Sequence, residues 1–259
     1  MENPYKEPLD ILFDRIISLR YNVYRLNNML IKSIDNLKNP EEDRFISGSS
    51  LIISDITGPT DNGWTIKFHT GHSKVTLAEG YKAEAIKLIS IESCYSFAQA
   101  FEGLECFLKD VLYQKTLIYP EFFDTIKDKR FTENNRKSYP GGDKLFQFIK
   151  KATGESFNSF SQTNNYNLRF SEFWYIIAVI RHAITHSQSL ISKSLIFKSK
   201  THTGIFNYFF MYNERENENV EIVLDYKNFE KLTNSIAEFS FQIYKLLSIQ
   251  KDYDWEIKA

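Results

Sequence analysis

Apolar residues recur every three or four positions along several long stretches of this sequence, and this spacing constrains the fold more than any other feature. The stretches cover residues 9–37, 79–112, 168–187 and 228–249, with a shorter one at 144–152. Such spacing places the apolar side chains on one face of an α-helix. We therefore predict a mainly α protein, in which the four helices that follow residue 78 pack as a bundle.

Segments rich in β-branched and apolar residues lie in two other regions of the chain. The candidate strands are 50–56, 64–69 and 74–78 in the first region, and 195–199, 204–211 and 220–225 in the second. An acidic turn at 213–219 separates the last two strands, as is typical of a hairpin. We read 114–142 and 154–167 as polar connections.

These patterns predict two domains. Residues 1–78 would form an appendage made of an N-terminal helix and a small β element. Residues 79–259 would form the helical domain, with a β-hairpin at about 195–225 inserted before the last helix. The helix at 168–187 contains the residues that suggest a function.

The composition excludes some partners and locations. Lys and Arg number 32 and Asp and Glu 33, so a net charge of −1 gives no overall attraction to nucleic acid or to a membrane. The opening segment MENPYKEPLD is too polar for a signal peptide, and the longest apolar run, 173–180, falls short of the roughly 20 residues that span a membrane. We expect a cytoplasmic protein with no membrane partner.

The two cysteines do not suggest a disulfide. Cys94 and Cys106 are twelve residues apart on one predicted helix, which separates them by about 18 Å. We expect both to be buried thiols in a reducing compartment.

Arg181 lies on the apolar face of its predicted helix, four residues after Ile177 and three before Ile184. Because arginine cannot lose its charge, a buried Arg181 needs an anion beside it. Glu105 or Glu102 of the long preceding helix could supply that anion, and so could a phosphate that arrives from outside.

His186 follows Arg181 by five residues, which rotates the two side chains about 140° apart on a regular helix. They converge on one group only if the helix frays or bends near His186, or if a second copy of the chain brings two such pairs together. The alternative is that His186 is an ordinary surface histidine at a helix C-terminus.

The segment FSEFWYIIAVIRHAITHS, residues 170–187, resembles the signature helix of the HEPN superfamily. Those proteins are four-helix bundles with an Arg and a His separated by four to six residues late in one helix. The polar residue that follows the Arg is often Asn, and here it is His182. The segment SFAQAFEGLECFLKDVL, residues 96–112, is similar to the early helix of such bundles. The resemblance covers 79–250 loosely and leaves residues 1–78 without an interpretation.

The resemblance implies metal-independent cleavage of RNA at a homodimer interface, with no cofactor. In that chemistry the 2′-hydroxyl attacks the adjacent phosphorus and leaves a 2′,3′-cyclic phosphate and a 5′-hydroxyl. Arg181 would stabilise the phosphoryl charge and His186 would act as general acid or base. His182 and Thr185 would orient the phosphate or His186, and Glu105 would support Arg181. Family members are often toxins or antiphage effectors, which implies an antitoxin or another regulatory protein as a partner.

The sequence contains two further candidate sites. His182 and His186 have the spacing of two metal ligands on one helical face, but no third ligand with matching spacing accompanies them, so we assign no metal. The second candidate is the basic connection before 144–152, which would bind RNA through its cations, with Phe131 and Tyr139 stacking on bases. Its cations are Lys127, Lys129, Arg130, Arg136 and Lys137. The alternative is that this connection is simply solvated.

Three hypotheses follow from the sequence. The first is an HEPN-type endoribonuclease that acts as a homodimer on single-stranded or loop RNA. The second is a non-catalytic helical module that binds RNA or a protein. The third is a structural accessory protein in which Arg181 is neutralised internally.

Overall fold

The computed structural model describes residues 2–37, 44–55, 57, 67–127, 131–164 and 167–257, and this part of the chain is mainly helical with small antiparallel sheets. The helices are α1 (Lys6–Asn36), α2 (Tyr81–Ile118), α3 (Pro120–Ile126), α4 (Gly142–Thr153), α5 (Glu155–Gln162), α6 (Phe170–His186), α7 (Lys193–Ile196), α8 (Lys200–Phe209) and α9 (Tyr226–Ile249). The strands are β1 (Phe45–Ser54), β2 (Lys67–Leu77), β3 (Leu190–Ser192), β4 (Met211–Glu214) and β5 (Asn219–Val223). The predicted mainly α class is confirmed. No helix in the described ranges combines the length and apolar character needed to cross a membrane.

The chain forms two compact units, and their boundaries differ from the predicted boundary at residue 78. Unit 1 contains Met1–Arg25 and Ile89–Ala259, and unit 2 contains Leu26–Leu88. Helix α1 explains the difference. Its buried side chains Leu9, Leu12, Ile16, Leu19 and Val23 alternate three and four residues apart and join the core of unit 1. The first 25 residues are thus part of the helical unit, not of a separate appendage.

Aromatic side chains from α2, α4, α6 and α9 meet in the core of unit 1. Trp174 of α6 stacks on Phe146 of α4 with ring centroids 5.2 Å apart and planes 7° apart, and Phe101 of α2 lies 5.3 Å from the same tryptophan. Phe239 of α9 lies 6.3 Å from Phe146. The predicted apolar seam of α6 is confirmed, since Phe170, Phe173, Ile177, Ile180 and Ile184 are all buried.

The segment predicted as a hairpin at about 195–225 is a hairpin only in its second half. Strands β4 and β5 pair antiparallel around the predicted acidic turn, and β3 pairs with the other edge of β5. The predicted strands 195–199 and 204–211 are wrong, because 193–196 and 200–209 are helical. Ser199 caps α8 by accepting a hydrogen bond from the backbone N–H of His202. Ile205, Phe206 and Phe209 then bury one helical face, which outweighs their β-propensity.

The two predicted polar connections also contain helices. Helix α5 lies within 154–167 and buries Phe157 and Ser161, which are four residues apart on one face. Helix α3 and a 3₁₀ turn at Arg136–Ser138 lie within 114–142. Tertiary burial of a few aromatic residues therefore orders segments that look like loops by composition.

Unit 2 contains the antiparallel hairpin of β1 and β2 together with the end of α1 and the start of α2. The predicted strands 64–69 and 74–78 are replaced by one strand, 67–77, and residues 56 and 58–66 lie outside the described residues. Tyr81 donates a hydrogen bond of 2.7 Å to Ser33, and Lys74 forms an ion pair of 2.7 Å with Glu84.

Candidate functional site

The candidate site is on the last two turns of α6. The helix is regular from Phe170 to His186 because its seam is buried along its whole length. It ends where Ser187 and Ser189 both donate backbone hydrogen bonds to the carbonyl of Ala183, at 2.9 and 3.1 Å, with Ser189 in a left-handed conformation at φ 64°. The predicted end of the helix near Ser187 is therefore confirmed, and the helix does not fray before His186.

The guanidinium of Arg181 lies against α2. Its Nη2 atom is 3.9 Å from Oε1 of Glu102 and 3.9 Å from Oε2 of Glu105, and its Cζ atom lies 5.7 Å from the ring centroid of Phe101. The side chain is 26% exposed. Both carboxylates named from the sequence as counter-ions are thus beside Arg181, but at a distance longer than a hydrogen bond.

One part of this guanidinium has no hydrogen-bond partner. The Nε atom of Arg181 is buried and no acceptor reaches it. A buried N–H without an acceptor costs about 1–3 kcal/mol. The two glutamates therefore balance the charge of Arg181 without satisfying its hydrogen-bonding capacity.

Glu105 links three helices. Its Oε1 atom accepts a hydrogen bond of 2.8 Å from the backbone N–H of Gly142, the first residue of α4, while its Oε2 atom faces Arg181 of α6. A carboxylate at a helix N-terminus is stabilised by the unpaired backbone N–H groups there. The absence of a side chain at Gly141 allows this approach, since a Cβ atom at that position would lie 3.1 Å from Oε1.

Glu102 is shared between two arginines. Its Oε2 atom lies 3.7 Å from Nη2 of Arg15 in α1, and its other oxygen faces Arg181. Helix α1 comes close here because Gly103 has no side chain, and a Cβ atom there would lie 2.9 Å from Cδ of Arg15. Sequence analysis missed Arg15, since nothing in the local pattern of α1 predicts which residue of α2 it meets.

His186 lies with His182 rather than with Arg181. The two imidazole rings are exposed, with centroids 4.7 Å apart. Five residues of regular helix separate Arg181 from His186, so their side chains leave the helix about 140° apart. One chain therefore does not bring the two predicted catalytic side chains together. Because the helix is regular up to His186, the two side chains could meet on one group only if a second copy of the chain supplies one of them.

Thr185 is engaged with its own helix. Its hydroxyl donates to the carbonyl oxygen of Arg181 at 2.9 Å and lies 3.2 Å from that of His182. This is the common back-bonding of threonine within a helix. The predicted role of Thr185 in orienting a phosphate would require that hydrogen bond to break.

The basic connection is partly neutralised. Lys127 forms an ion pair of 2.6 Å with Asp124, and Nη2 of Arg136 donates to Asp110 at 2.9 Å. Lys137 is exposed, whereas Lys129 and Arg130 lie outside the described residues.

The suggested stacking of bases on this connection is wrong. Phe131 and Tyr139 are both buried, with ring centroids 4.7 Å apart. They pack into the core of unit 1, so neither ring has a free surface for a base.

Within the described ranges, no group of three or more His, Cys, Asp or Glu side chains could hold a metal ion. Searches against family models, curated proteins and solved structures gave no match to this chain.

Proposed function

We propose that this chain is an HEPN-type endoribonuclease that acts as a homodimer on single-stranded or loop RNA. The observation that carries the proposal is the state of Arg181. A permanent positive charge lies on the apolar seam of α6, its Nε atom is buried without an acceptor, and its carboxylate neighbours stay at 3.9 Å. A phosphate offers several charged oxygen acceptors to a guanidinium, and arginine is suited to bind it.

The residues suit the transesterification that releases a 2′,3′-cyclic phosphate. The 2′-oxygen loses its proton and bonds to phosphorus, the bond from phosphorus to the 5′-oxygen breaks, and that oxygen takes up a proton. Imidazole can perform either proton transfer because histidine ordinarily titrates near neutral pH. Arg181 would stabilise the additional negative charge on the phosphoryl oxygens.

A homodimer is part of the proposal for a geometric reason. Within one α6 the side chains of Arg181 and His186 diverge, so one phosphate cannot contact both. Two copies of α6 related by a two-fold axis would place an arginine of one copy beside a histidine of the other. The same arrangement supplies two histidines, one to remove a proton and one to donate it.

The test is RNA cleavage by the purified full chain, with the ends of the products identified. We expect cyclic-phosphate and 5′-hydroxyl ends, and we expect Arg181→Ala and His186→Ala each to lower the cleavage rate at least 100-fold. Arg169→Ala and His202→Ala are matched controls. Arg169 is an exposed arginine that precedes α6, and His202 is a half-buried histidine whose ring forms a hydrogen bond with the hydroxyl of Ser199. Both control variants should cleave RNA at the wild-type rate.

Full activity in either Arg181→Ala or His186→Ala, with circular dichroism unchanged, would refute the mechanism. An equal loss of cleavage activity in the control variants would indicate that the substitutions destabilise the fold and do not remove a catalytic group.

The competing proposal is a non-catalytic helical module that binds RNA or a protein. The observation that favours it is the presence of two carboxylates beside Arg181, because they offset its charge within the chain. In that case RNA incubated with the wild-type chain would stay intact, and any binding would be equally strong in the His186→Ala variant.

A further inference from the structure

The described part of unit 2 has almost no core of its own. Among its described residues, Ala78 and Ala85 are the buried hydrophobic side chains, and none of its side chains belongs to the large core cluster of the protein. Many of its larger apolar residues are instead exposed, whereas Leu26, Leu30, Ile34, Leu37 and Ile46 are half-buried. The exposed ones are Met29, Ile31, Phe45, Leu51, Ile52, Ile53, Phe68, Val75, Leu77, Ile86 and Leu88. Exposed apolar residues gathered in one region mark an interaction surface.

The hairpin is the most exposed part of this unit. Apart from Ile46, Thr70 and Thr76, every residue of β1 and β2 is exposed. A two-stranded sheet with both faces in water is marginally stable. The hairpin thus needs an additional strand or layer to be well ordered.

Strand β1 leaves an edge open that nothing in its composition protects. Within the described residues its one neighbour is β2, so its other edge has no strand opposite it. Sheet edges are usually guarded against pairing by lysine, other charges or proline. The ten residues of β1, FISGSSLIIS, contain none of these, whereas β2 contains Lys67 and Lys74.

The sequence of β1 is complementary to itself. Residues 50–54 are Ser-Leu-Ile-Ile-Ser, which present the same order of polar and apolar side chains in both directions. If two β1 strands pair antiparallel about an axis at Ile52, Leu51 faces Ile53 of the second copy and Ser50 faces its Ser54. Apolar groups then meet apolar groups, and hydroxyls meet hydroxyls, across the whole segment.

The net charge of unit 2 is small enough for a second copy of the same unit to be its partner. Residues 26–88 contain seven Lys and Arg and eight Asp and Glu, a difference of one charge. Two copies therefore do not repel each other strongly. This balance does not suit nucleic acid or an anionic membrane, both of which require a basic surface.

We propose that the open edge of β1 is a homodimer contact, through which two copies of this chain form one four-stranded antiparallel sheet with its two-fold axis at Ile52. An identical surface patch on both subunits is the arrangement that two-fold symmetry requires. The ribonuclease proposal also calls for a homodimer, formed through α6, so twice the chain mass does not by itself identify the β1 contact. The substitutions at Ile52 test the β1 contact, and RNA cleavage tests the ribonuclease proposal.

The test combines mass measurement with cysteine cross-linking. Sedimentation equilibrium of the full chain at micromolar concentration should give twice the chain mass of 30.5 kDa. Ile52→Lys should weaken the dimer at least tenfold, since it places two lysines opposite each other. Ile257→Lys is the matched control, because Ile257 is 52% exposed against 56% for Ile52 and lies outside unit 2.

Cross-linking keeps the proposal testable even if Ile52→Lys disturbs the hairpin itself. Directly opposed residues of antiparallel strands have Cα atoms about 4.5–5.5 Å apart, within disulfide reach. In a background in which the exposed Cys106 is replaced by serine, mild oxidation of Ile52→Cys should give a covalent dimer. Ser49→Cys is a control in the same strand, because the two copies of residue 49 would lie about 20 Å apart.

A wild-type chain that sediments as a monomer would overturn the proposal. So would open-ended assemblies, equal cross-linking at positions 49 and 52, or an Ile257→Lys variant that dissociates as readily as Ile52→Lys.

Discussion

Replacing Glu105 by alanine should destabilise the protein by about 1.5–3 kcal/mol, the range for a hydrogen bond to a charged group. The carboxylate is 17% exposed and accepts a hydrogen bond of 2.8 Å from the backbone N–H of Gly142. In Glu105→Ala that N–H loses its acceptor at the start of α4. The 3.9 Å ion pair with Arg181 adds less, because Arg181 is partly exposed and has Glu102 as a second anion.

Two further variants separate the hydrogen bond from the charge. Glu105→Gln keeps an oxygen that can accept from Gly142 and should recover most of the loss. Glu102→Ala removes a carboxylate that is 51% exposed and lies 3.7 and 3.9 Å from its arginines, so it should cost less than about 1 kcal/mol.

The free energy of unfolding would be measured by urea titration and checked by thermal unfolding. A loss of 1.5–3 kcal/mol corresponds to a decrease in Tm of about 3–12 °C for a chain of this size. A loss below about 0.5 kcal/mol in Glu105→Ala, or an equal loss in Glu102→Ala, would refute the assignment of Glu105 as the link between α2 and α4.

Two more predictions concern the core and the cysteines. Phe146→Ala should lower the free energy of unfolding by about 3–5 kcal/mol in a urea titration, because Phe146 packs on Trp174 and Phe239. Phe160 is 38% exposed, so Phe160→Ala should lower it by less than about 1 kcal/mol. Similar losses for the two variants would contradict this packing. Burial raises the pKa of the Cys94 thiol to about 12. Iodoacetamide at neutral pH should therefore label only the exposed Cys106 in the native protein, and Cys94 only after the chain is unfolded. Mass spectrometry of the labelled protein can check this.

Long helices were predictable because their signal is local. The apolar seam of α6 repeats along the 17 residues of the helix, and Phe170, Phe173, Ile177, Ile180 and Ile184 are all buried. The structure of shorter segments was not predictable from the sequence. Residues 200–209 contain Ile205, Phe206 and Phe209, which suit a strand as well as a helix, and the cap at Ser199 together with core packing decides for the helix.

Burial of single residues was predicted less well than the elements that carry them. Cys106 was expected in the core with Cys94, yet it is exposed, because it lies outside the apolar stripe of α2. Phe131 and Tyr139 were expected on a solvated connection, yet both are buried. A local pattern shows which face of a helix is apolar, but it does not show how a connection folds back onto the core.

The sequence by itself determined that Arg181 lies on an apolar helical face and therefore needs an anion, and it named Glu102 and Glu105 as candidates. Only the tertiary structure decided that both glutamates share this role, that Glu105 also holds the start of α4, and that Arg15 completes the cluster. The physical reason is that helical periodicity acts over a few residues, whereas these contacts join residues 37 to 87 positions apart, which meet only when α1, α2, α4 and α6 pack together.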